Sequence, residues 1–221
     1  MLKKLELWIV ITISGAAGGV KYIPKTSIEE NKQFLMELCE KINDDSRKLS
    51  GGFLYLIDLI YNPAIVAKIG KIFASNLDYS EADYVVTMET KGIPMALMTA
   101  KAMNLPLVII RKDNKVTEGS TVTINFVSGT SGRIQQMALA KKCMKPSSKC
   151  VFIDDFLRGG GTAEGIRDLL KEFDSELVGT GVLVDNIGIE NKRTSDYVSI
   201  IDLKYDKEID KLIVNPSNII K

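Results

Sequence analysis

The stretch Cys150 to Gly165, CVFIDDFLRGGGTAEG, constrains the fold of this chain more than any other segment. Four apolar residues lead into two adjacent carboxylates, Asp154 and Asp155, and a triple glycine follows shortly before the helix-like residues that begin near Thr162. A buried strand, a tight loop and a helix start in this order are typical of a phosphate site in an α/β protein.

The chemistry of this stretch favours an anionic ligand. Glycines let backbone N–H groups converge on an anion, and a helix N-terminus adds unpaired donors. The two carboxylates suit the hydroxyls of a sugar, or a hydrated Mg²⁺ ion carried by a pyrophosphate. The stretch is not a P-loop, because no lysine follows the glycines, and not a dinucleotide fingerprint, because the acids precede the glycines. A plain glycine-rich turn remains the simpler alternative.

The rest of the chain alternates between strand-like and helix-like segments. Apolar runs predict strands at Tyr84 to Met88, Leu105 to Ile110 and Leu177 to Val184, and a helix from Met95 to Met103. This order predicts an α/β fold with a parallel sheet and helices on both faces. Ligands bind such sheets at the carboxyl ends of the strands, so the loops ETKGIP, RKDNKVTEG and DDFLRGGGT should share one rim.

The N-terminal half adds a hairpin and two helices. Leu5 to Ile13 is β-branched and apolar, and with VKYIPK behind a glycine-rich turn it predicts a β-hairpin. Ser27 opens a capping box for a helix that ends near Asn43. Asn62 caps another helix, whose first residue is Pro63.

Three further segments complete the predicted order. The apolar run FLYLIDLI at 53–60 predicts a strand, and Ile134 to Cys143 predicts a helix. Val122, Ile124 and Phe126 alternate with polar residues, which predicts a half-buried strand ahead of the 134–143 segment. The apolar runs in 196–221 either complete the sheet or form a hood over the site, and the sequence leaves both open.

Composition narrows the possible functions. The 29 basic and 28 acidic residues give a net charge of +1, so there is no overall electrostatic argument for nucleic acid. Imidazole chemistry is excluded because the chain has no histidine. Three cysteines without metal spacing fit a reducing cytoplasm. No apolar run approaches the ~20 residues of a membrane span, and residues 1–17 are better read as a strand than as a signal peptide.

The shared rim collects several cations opposite the glycine loop. Lys91 lies beside a glycine in ETKGIP, and Arg111, Lys112 and Lys115 belong to RKDNKVTEG. Any one of them is more simply a solvated surface residue, but together they suit a second group of phosphates. Two anionic ends separated by a sugar describe phosphoribosyl pyrophosphate (PRPP).

These motifs resemble those of a known family. CVFIDDFLRGGGT resembles the PRPP motif of type I phosphoribosyltransferases, and ETKGIP resembles their pyrophosphate loop, which often contains a cis non-proline peptide. RKDNKVTEG lies where these proteins carry a flexible loop, and FLYLIDLIYNPAIVAKIGKIFAS resembles the element ahead of their core. From about residue 14 onward, GAAGGVKYIPK, TKGIP and RKDNKVTEGSTVTINFVSG are similar to the bacterial purine operon repressors.

The resemblance implies a role for each matching residue. It also implies a PRPP-sensing domain with no assigned catalytic residue and no assigned metal site, although Mg²⁺ could accompany the ligand. The implied contacts are Asp154 and Asp155 for the ribose, directly or through Mg²⁺ and water; Arg158, Gly159, Gly160, Gly161 and Thr162 for the 5-phosphate; Thr90, Lys91 and Gly92 for the pyrophosphate; and Arg111, Lys112 and Lys115 in the flexible loop.

The resemblance also implies partners and a division of the chain. In such repressors PRPP releases purine operator DNA, guanosine tetraphosphate is proposed to compete for the pocket, and the protein is a cytoplasmic homodimer without a membrane partner. Residues 1–25 would be the remnant of a winged-helix wing and its connection, and 26–221 the effector-binding domain. Because the recognition helix would be missing, this chain should bind operator DNA weakly or not at all.

Two alternatives remain open at this point. The first is an active purine phosphoribosyltransferase that uses PRPP and Mg²⁺. Enzymes of the family usually have small residues where this chain has Arg158 and Gly159, which is weak support for a sensor. The second alternative is an α/β domain that binds some other phosphorylated metabolite.

Overall fold

The computed structural model describes residues 8–13, 18–24, 26–49, 53–114, 116–128, 132–206, 208 and 211–219. The strands are β1 (Trp8–Ile13), β2 (Gly19–Pro24), β3 (Lys48–Leu49), β4 (Phe53–Leu54), β5 (Tyr84–Met88), β6 (Leu107–Ile110), β7 (Thr121–Val127), β8 (Ile134–Ala140), β9 (Lys149–Leu157), β10 (Glu176–Asn186), β11 (Val198–Asp206) and β12 (Lys211–Pro216). The helices are α1 (Ile28–Ile42), α2 (Ile57–Ile60), α3 (Pro63–Asn76), α4 (Ile93–Met103) and α5 (Gly161–Lys171).

A six-stranded sheet forms the centre of the fold, in the order β12-β11-β10-β9-β5-β6. All neighbouring strands are parallel except β12, which runs antiparallel to β11 at one edge. The predicted parallel sheet is therefore confirmed. Because β5, β6 and β9 are parallel, the loops that follow them meet at one edge of the sheet.

Both faces of the sheet are covered, as the strand–helix alternation predicts. Val151 and Ile153 of β9 pack into a core with α1, α3 and α4 on one face. Cys150 and Phe152, at the alternate positions, pack on the other face with α5 and the antiparallel hairpin of β7 and β8. Side chains of one strand thus hold both layers together, which is typical of a buried central strand.

Local signals at the helix starts are confirmed. The Ser27 hydroxyl accepts a hydrogen bond from the Glu30 N–H at the start of α1. Asn62 Oδ1 accepts from the N–H groups of Ala64 and Ile65 at the start of α3. The predicted N-terminal hairpin is also present, since β1 pairs antiparallel with β2. None of the helices in the described part of the chain is long and apolar enough to cross a membrane.

The strand predicted at 53–60 is wrong. Only Phe53–Leu54 is extended, and Ile57–Ile60 forms the short helix α2. Leu56, Leu59 and Ile60 are buried at the i, i+3, i+4 spacing of a helix. Asp58 lies on the exposed side, where both of its carboxylate oxygens accept hydrogen bonds from Arg47 at 2.7 Å.

The helix predicted at Ile134 to Cys143 is also wrong. Ile134–Ala140 is a strand paired with Thr121–Val127, and its burial runs in two blocks instead of following a helical period. Pairing with the neighbouring strand and packing against α5 override the helix propensity of this apolar segment. Smaller differences are that α4 starts at Ile93 instead of Met95, and that β6 starts two residues after Leu105.

The C-terminal segment completes the sheet as β11 and β12. The edge strand β12 is joined to the end of α1 by a pair of side-chain hydrogen bonds. Asn43 Nδ2 donates to the Val214 carbonyl at 2.9 Å, and Asn43 Oδ1 accepts from the Val214 N–H at 2.9 Å. One side chain thus satisfies both backbone groups of an edge residue.

The contact between α3 and α4 gives a test of the fold, because α4 begins directly after the loop that follows β5. A Cβ at Gly70 would lie 2.6 Å from the Met98 carbonyl carbon and 2.8 Å from the Thr99 nitrogen. We expect Gly70→Ala to lower the free energy of unfolding by about 1–3 kcal/mol, as overpacking does. This loss should occur although alanine is the better helix former by about 1 kcal/mol.

Chemical denaturation measures this difference. The control is Lys71→Ala at the exposed neighbouring position, which should change stability by no more than about 0.5 kcal/mol. A Gly70→Ala variant as stable as the wild type would contradict the close helix packing.

Candidate functional site

A cavity of about 500 Å³ opens at the carboxyl edge of the sheet, where β5 and β9 end. The segment of β4 and α2 forms its opposite wall. The lining residues are Phe53, Leu54, Leu56, Ile57, Tyr61, Met88, Glu89, Thr90, Lys91, Lys112, Ser128, Gln135, Asp154, Asp155, Phe156 and Thr162. Six predicted site residues are therefore brought together, namely Thr90, Lys91, Lys112, Asp154, Asp155 and Thr162.

The triple glycine forms the predicted turn from β9 into α5. Gly160 adopts the left-handed conformation with φ of 73°, which suits a residue without Cβ. Gly160 is also the N-cap of α5 and provides no side-chain cap, so the first N–H groups of the helix have no cap from that residue. With Gly159 and Gly161 on either side, this turn has the backbone donors of an anion cradle.

The two acids lie at the end of β9 on the floor of the cavity. Asp154 Oδ1 accepts a hydrogen bond from the Asp155 N–H at 2.9 Å. Burial raises the pKa of Asp154 well above its usual range, and the neighbouring Asp155 carboxylate raises it further. Burial also raises the pKa of Asp155, although Lys91 and Lys112 act in the opposite direction. The folded chain therefore disfavours two charges here, and a bound cation or hydroxyl donor would relieve that cost.

The loop after β5 approaches the acids closely. The peptide bond between Glu89 and Thr90 is cis, the feature that the resemblance implies for this loop. A Cβ on Gly92 would lie 2.5 Å from Thr87 Oγ1 and 2.9 Å from Asp154 Oδ1. Only glycine fits this position, and it allows the loop with its exposed lysine to lie against the carboxylate pair.

Arg111 is placed differently from a ligand-binding cation. Its Nε donates to Glu118 at 3.0 Å, its Nη1 donates to Glu89 at 3.2 Å, and its backbone pairs with Ala138 of β8. Arg111 is absent from the cavity lining, whereas the adjacent Lys112 is present. The Lys112 N–H also donates to Glu89 Oε1 at 2.7 Å. Arg111 thus joins the loop after β5 to the hairpin, and Lys112 is the cation that faces the cavity.

The other predicted residues that the structure describes do not line the cavity, namely Gly92, Arg158, Gly159, Gly160 and Gly161. The guanidinium of Arg158 nevertheless lies 5.2 Å from the centroid of the Phe53 ring, and Phe53 lines the cavity. This distance allows a cation–π contact between the phosphate loop and the opposite wall. Lys115 lies outside the described residues.

The cavity also has an apolar wall that the sequence does not predict, because the apolar run at 53–60 indicates a strand. Phe53, Ile57 and Tyr61, which are 39%, 38% and 51% exposed, all line this cavity. Two aromatic residues in a short run beside a helix cap could have indicated a binding surface. The cavity therefore has an ionic floor and an apolar side.

Comparisons with known proteins agree with this geometry. Residues 57–215 match the family model of the phosphoribosyl transferase domain. The chain is 48% identical over 194 residues to the purine biosynthesis transcriptional repressor PurR of Bacillus subtilis, covering 88% of this chain and 68% of that protein. It is 31% identical over 156 residues to xanthine phosphoribosyltransferase of Exiguobacterium sp., covering 68% of this chain and 80% of that protein.

Solved structures show the same fold at low sequence identity. Adenine phosphoribosyltransferase from Thermoanaerobacter pseudethanolicus superposes with a TM-score of 0.65 and 16% identity, covering 76% of this chain and 99% of that one. The glycine turn, the two acids and all of the six-stranded sheet except Pro216 fall within the segment that matches the domain model. The chain therefore belongs to the phosphoribosyl transferase domain family and, within it, to the family of the purine biosynthesis transcriptional regulators.

Proposed function

We propose that this chain is the PRPP-sensing effector domain of a repressor of purine biosynthesis genes. The observation that carries the proposal is the arrangement at one edge of the sheet. A carboxylate pair and two lysines on separate loops line one cavity, and Thr162, directly after the glycine turn at the start of α5, lines it too. A ligand with a phosphate at one end, a ribose in the middle and a pyrophosphate at the other end matches these three parts in charge and order.

Each part of the cavity has one task. The backbone N–H groups from Gly159 to Thr162 hold the 5-phosphate at the start of α5. Asp154 and Asp155 accept hydrogen bonds from the ribose hydroxyls, directly or through water. Thr90 and Lys91, supported by the close approach of Gly92, meet the pyrophosphate, and Lys112 adds a second positive charge.

The same residues suit Mg²⁺ carried by the ligand. Within the described residues, no group of three or more Asp, Glu, Cys or His side chains is placed to hold a metal ion. Two carboxylate oxygens beside a pyrophosphate nevertheless match the hard oxygen ligands that Mg²⁺ prefers, with water completing the shell. Such an ion would offset the charges of the acid pair.

A sensor is favoured over an enzyme because the regulator from Bacillus subtilis shares 48% identity with this chain, against 31% for the xanthine enzyme. In the proposed regulator, PRPP releases purine operator DNA and guanosine tetraphosphate competes for the cavity. Residues 1–25 belong to a winged-helix wing and its connection, and 26–221 form the effector domain of a cytoplasmic homodimer.

PRPP binding and turnover test the proposal directly. Thermal unfolding with PRPP and Mg²⁺ should show stabilisation of about 2.7 kcal/mol at 100 times the dissociation constant. Incubation with PRPP, Mg²⁺ and adenine, guanine, hypoxanthine or xanthine should release no base-dependent pyrophosphate. Release coupled to one base would establish the transferase alternative, and no stabilisation by PRPP would favour another phosphorylated metabolite.

Neutralising the half-buried Asp154 should raise the stability of the ligand-free protein and weaken PRPP binding. Asp154→Asn keeps an oxygen that can accept the hydrogen bond from the Asp155 N–H and removes a charge that burial disfavours. Because the pKa of Asp154 is higher in the folded than in the unfolded chain, the protonated carboxyl contributes stability below the unfolded pKa of about 3.9. This contribution is lost as the pH rises through the folded pKa. The ligand-free variant should therefore melt above the wild type at pH 7, with a smaller difference near pH 4.

The same variant should bind PRPP about ten- to a hundredfold more weakly, because a charge-assisted hydrogen bond contributes about 1.5–3 kcal/mol. Melting curves from pH 4 to 8 and calorimetric titration measure the two effects. A variant that is less stable at pH 7 and binds PRPP like the wild type would contradict both assignments.

Because Lys112 lines the cavity and Arg111 does not, we expect substitutions of Lys112 and of an Arg111 partner to affect PRPP affinity differently. Lys112→Ala should weaken PRPP binding about tenfold or more, because it removes a charge that faces the cavity. Glu118→Gln alters only the outer partner of Arg111, so it should change PRPP affinity by less than about threefold. Titrations at two salt concentrations compare them, and a larger loss for Glu118→Gln would show that the assigned positions are wrong.

A further inference from the structure

The segment between β10 and β11, residues 187–197, contacts the phosphate loop although no motif points to it. The Arg193 N–H donates to the Gly159 carbonyl at 3.0 Å. A Cβ at Gly160 would lie 2.9 Å from Thr194 Cγ2 and 3.0 Å from the Thr194 nitrogen. The turn that forms the anion cradle is thus packed directly against this segment.

A triple glycine needs such support. Glycine has the largest backbone freedom of any residue, so three in succession leave an open loop poorly defined. An anion site binds well only when its N–H groups are already oriented before the ligand arrives. Because Gly160 supplies no side-chain cap to α5, part of the orientation must come from neighbouring elements.

A buried polar cluster holds the supporting segment in place. Lys192 Nζ forms an ion pair with Asp185 and donates to the Tyr197 hydroxyl at 3.0 Å. The Tyr197 hydroxyl donates in turn to Asp185 Oδ2 at 2.8 Å. The side chains of Lys192 and Asp185 are only 10% and 5% exposed, so salt and water screen the pair little.

The cluster is fixed to the strand that leads into the phosphate loop. Asp185 near the end of β10 pairs in register with Leu157, the last residue of β9. Arg193 follows Lys192 directly in the chain, so fixing the Lys192 side chain restrains the backbone from which the Arg193 N–H donates. A continuous path of contacts therefore runs from Asp185 through Lys192 to Gly159.

We propose that Lys192 is a positioning residue, which orients the phosphate cradle of Gly159 to Gly161 by fixing the segment 187–197 against it. Lys192 does not line the proposed PRPP cavity and acts only through the Arg193 and Thr194 contacts. The inference rests on the proposed function and deepens it. It makes the affinity for the 5-phosphate end depend on residues outside every recognised motif, which support the glycine turn.

A purely structural ion pair is the competing explanation. Removing one partner of a buried pair leaves an uncompensated charge and destabilises the whole protein. Such a loss would weaken binding at both ends of the ligand equally. A positioning role instead predicts a loss confined to the end that the glycine turn holds, so two probes separate the explanations.

The probes are ribose 5-phosphate and inorganic pyrophosphate with Mg²⁺, titrated separately into each variant of the whole chain. Lys192→Met should weaken ribose 5-phosphate at least about fivefold while pyrophosphate changes less than about twofold. Lys192→Arg keeps a cation beside Asp185 and should recover most of the ribose 5-phosphate affinity. Tyr197→Phe keeps the ion pair and should show a smaller loss of the same kind, and it replaces Lys192→Met if that variant does not fold.

Hydrogen exchange adds a readout that needs no ligand. The Arg193 amide should exchange faster in Lys192→Met than in the wild type, because its bond to the Gly159 carbonyl is loosened. The control is Lys171→Met, which removes an exposed ion pair with Asp168 at the far end of α5 and should change neither measurement.

Two results in Lys192→Met would overturn the positioning role and leave the proposed function standing. The first is an equal loss of affinity for ribose 5-phosphate and pyrophosphate. The second is unchanged affinity for both together with unchanged exchange of the Arg193 amide. A wild-type chain that binds neither probe nor PRPP would overturn the proposed function and this inference with it.

Discussion

The carboxylate pair Asp154 and Asp155 at the end of β9 is the constraint on which the rest of the site depends. A central strand covered on both faces carries two acids into a region where their charges are disfavoured. Such a pair lowers this cost by taking up a proton, or by binding a cation or a hydroxyl donor. The neighbouring lysines reduce this cost without removing it, since the pKa of Asp155 is still raised.

The surrounding elements follow from this pair and from parallel strand order. Because β5 and β9 are neighbours, the loop that begins at Glu89 lies against Asp154, and a glycine at position 92 allows that contact. The hairpin of β7 and β8 is tied to the same loop through Arg111. On the other side, the segment after β10 supports the glycine turn. The two ends of the cavity are therefore held by different parts of the chain.

The sequence was informative wherever the signal was local. The strand, acids, glycines and helix start of 150–165 lie within sixteen consecutive residues. The caps at Ser27 and Asn62 each depend on residues no more than three positions away. It failed where a distant partner decided the outcome. Ile134–Ala140 is a strand because it pairs with β7, and 57–60 is a helix because one side of it packs into the core. Arg111 forms ion pairs with Glu89 and Glu118 and does not line the cavity. Lys192 has no local signal at all, because its partners come from β10 and from a later residue.

The central claim is that one cavity binds both charged ends of a single ligand. Calorimetric titration of the wild-type chain with PRPP, ribose 5-phosphate and pyrophosphate, each with Mg²⁺, tests it most directly. Joining two binding groups typically raises affinity by about 10²–10⁴ over either alone, so we expect PRPP to bind at least about a hundredfold more tightly than each fragment. PRPP that binds no more tightly than one of its fragments would contradict the bipartite site.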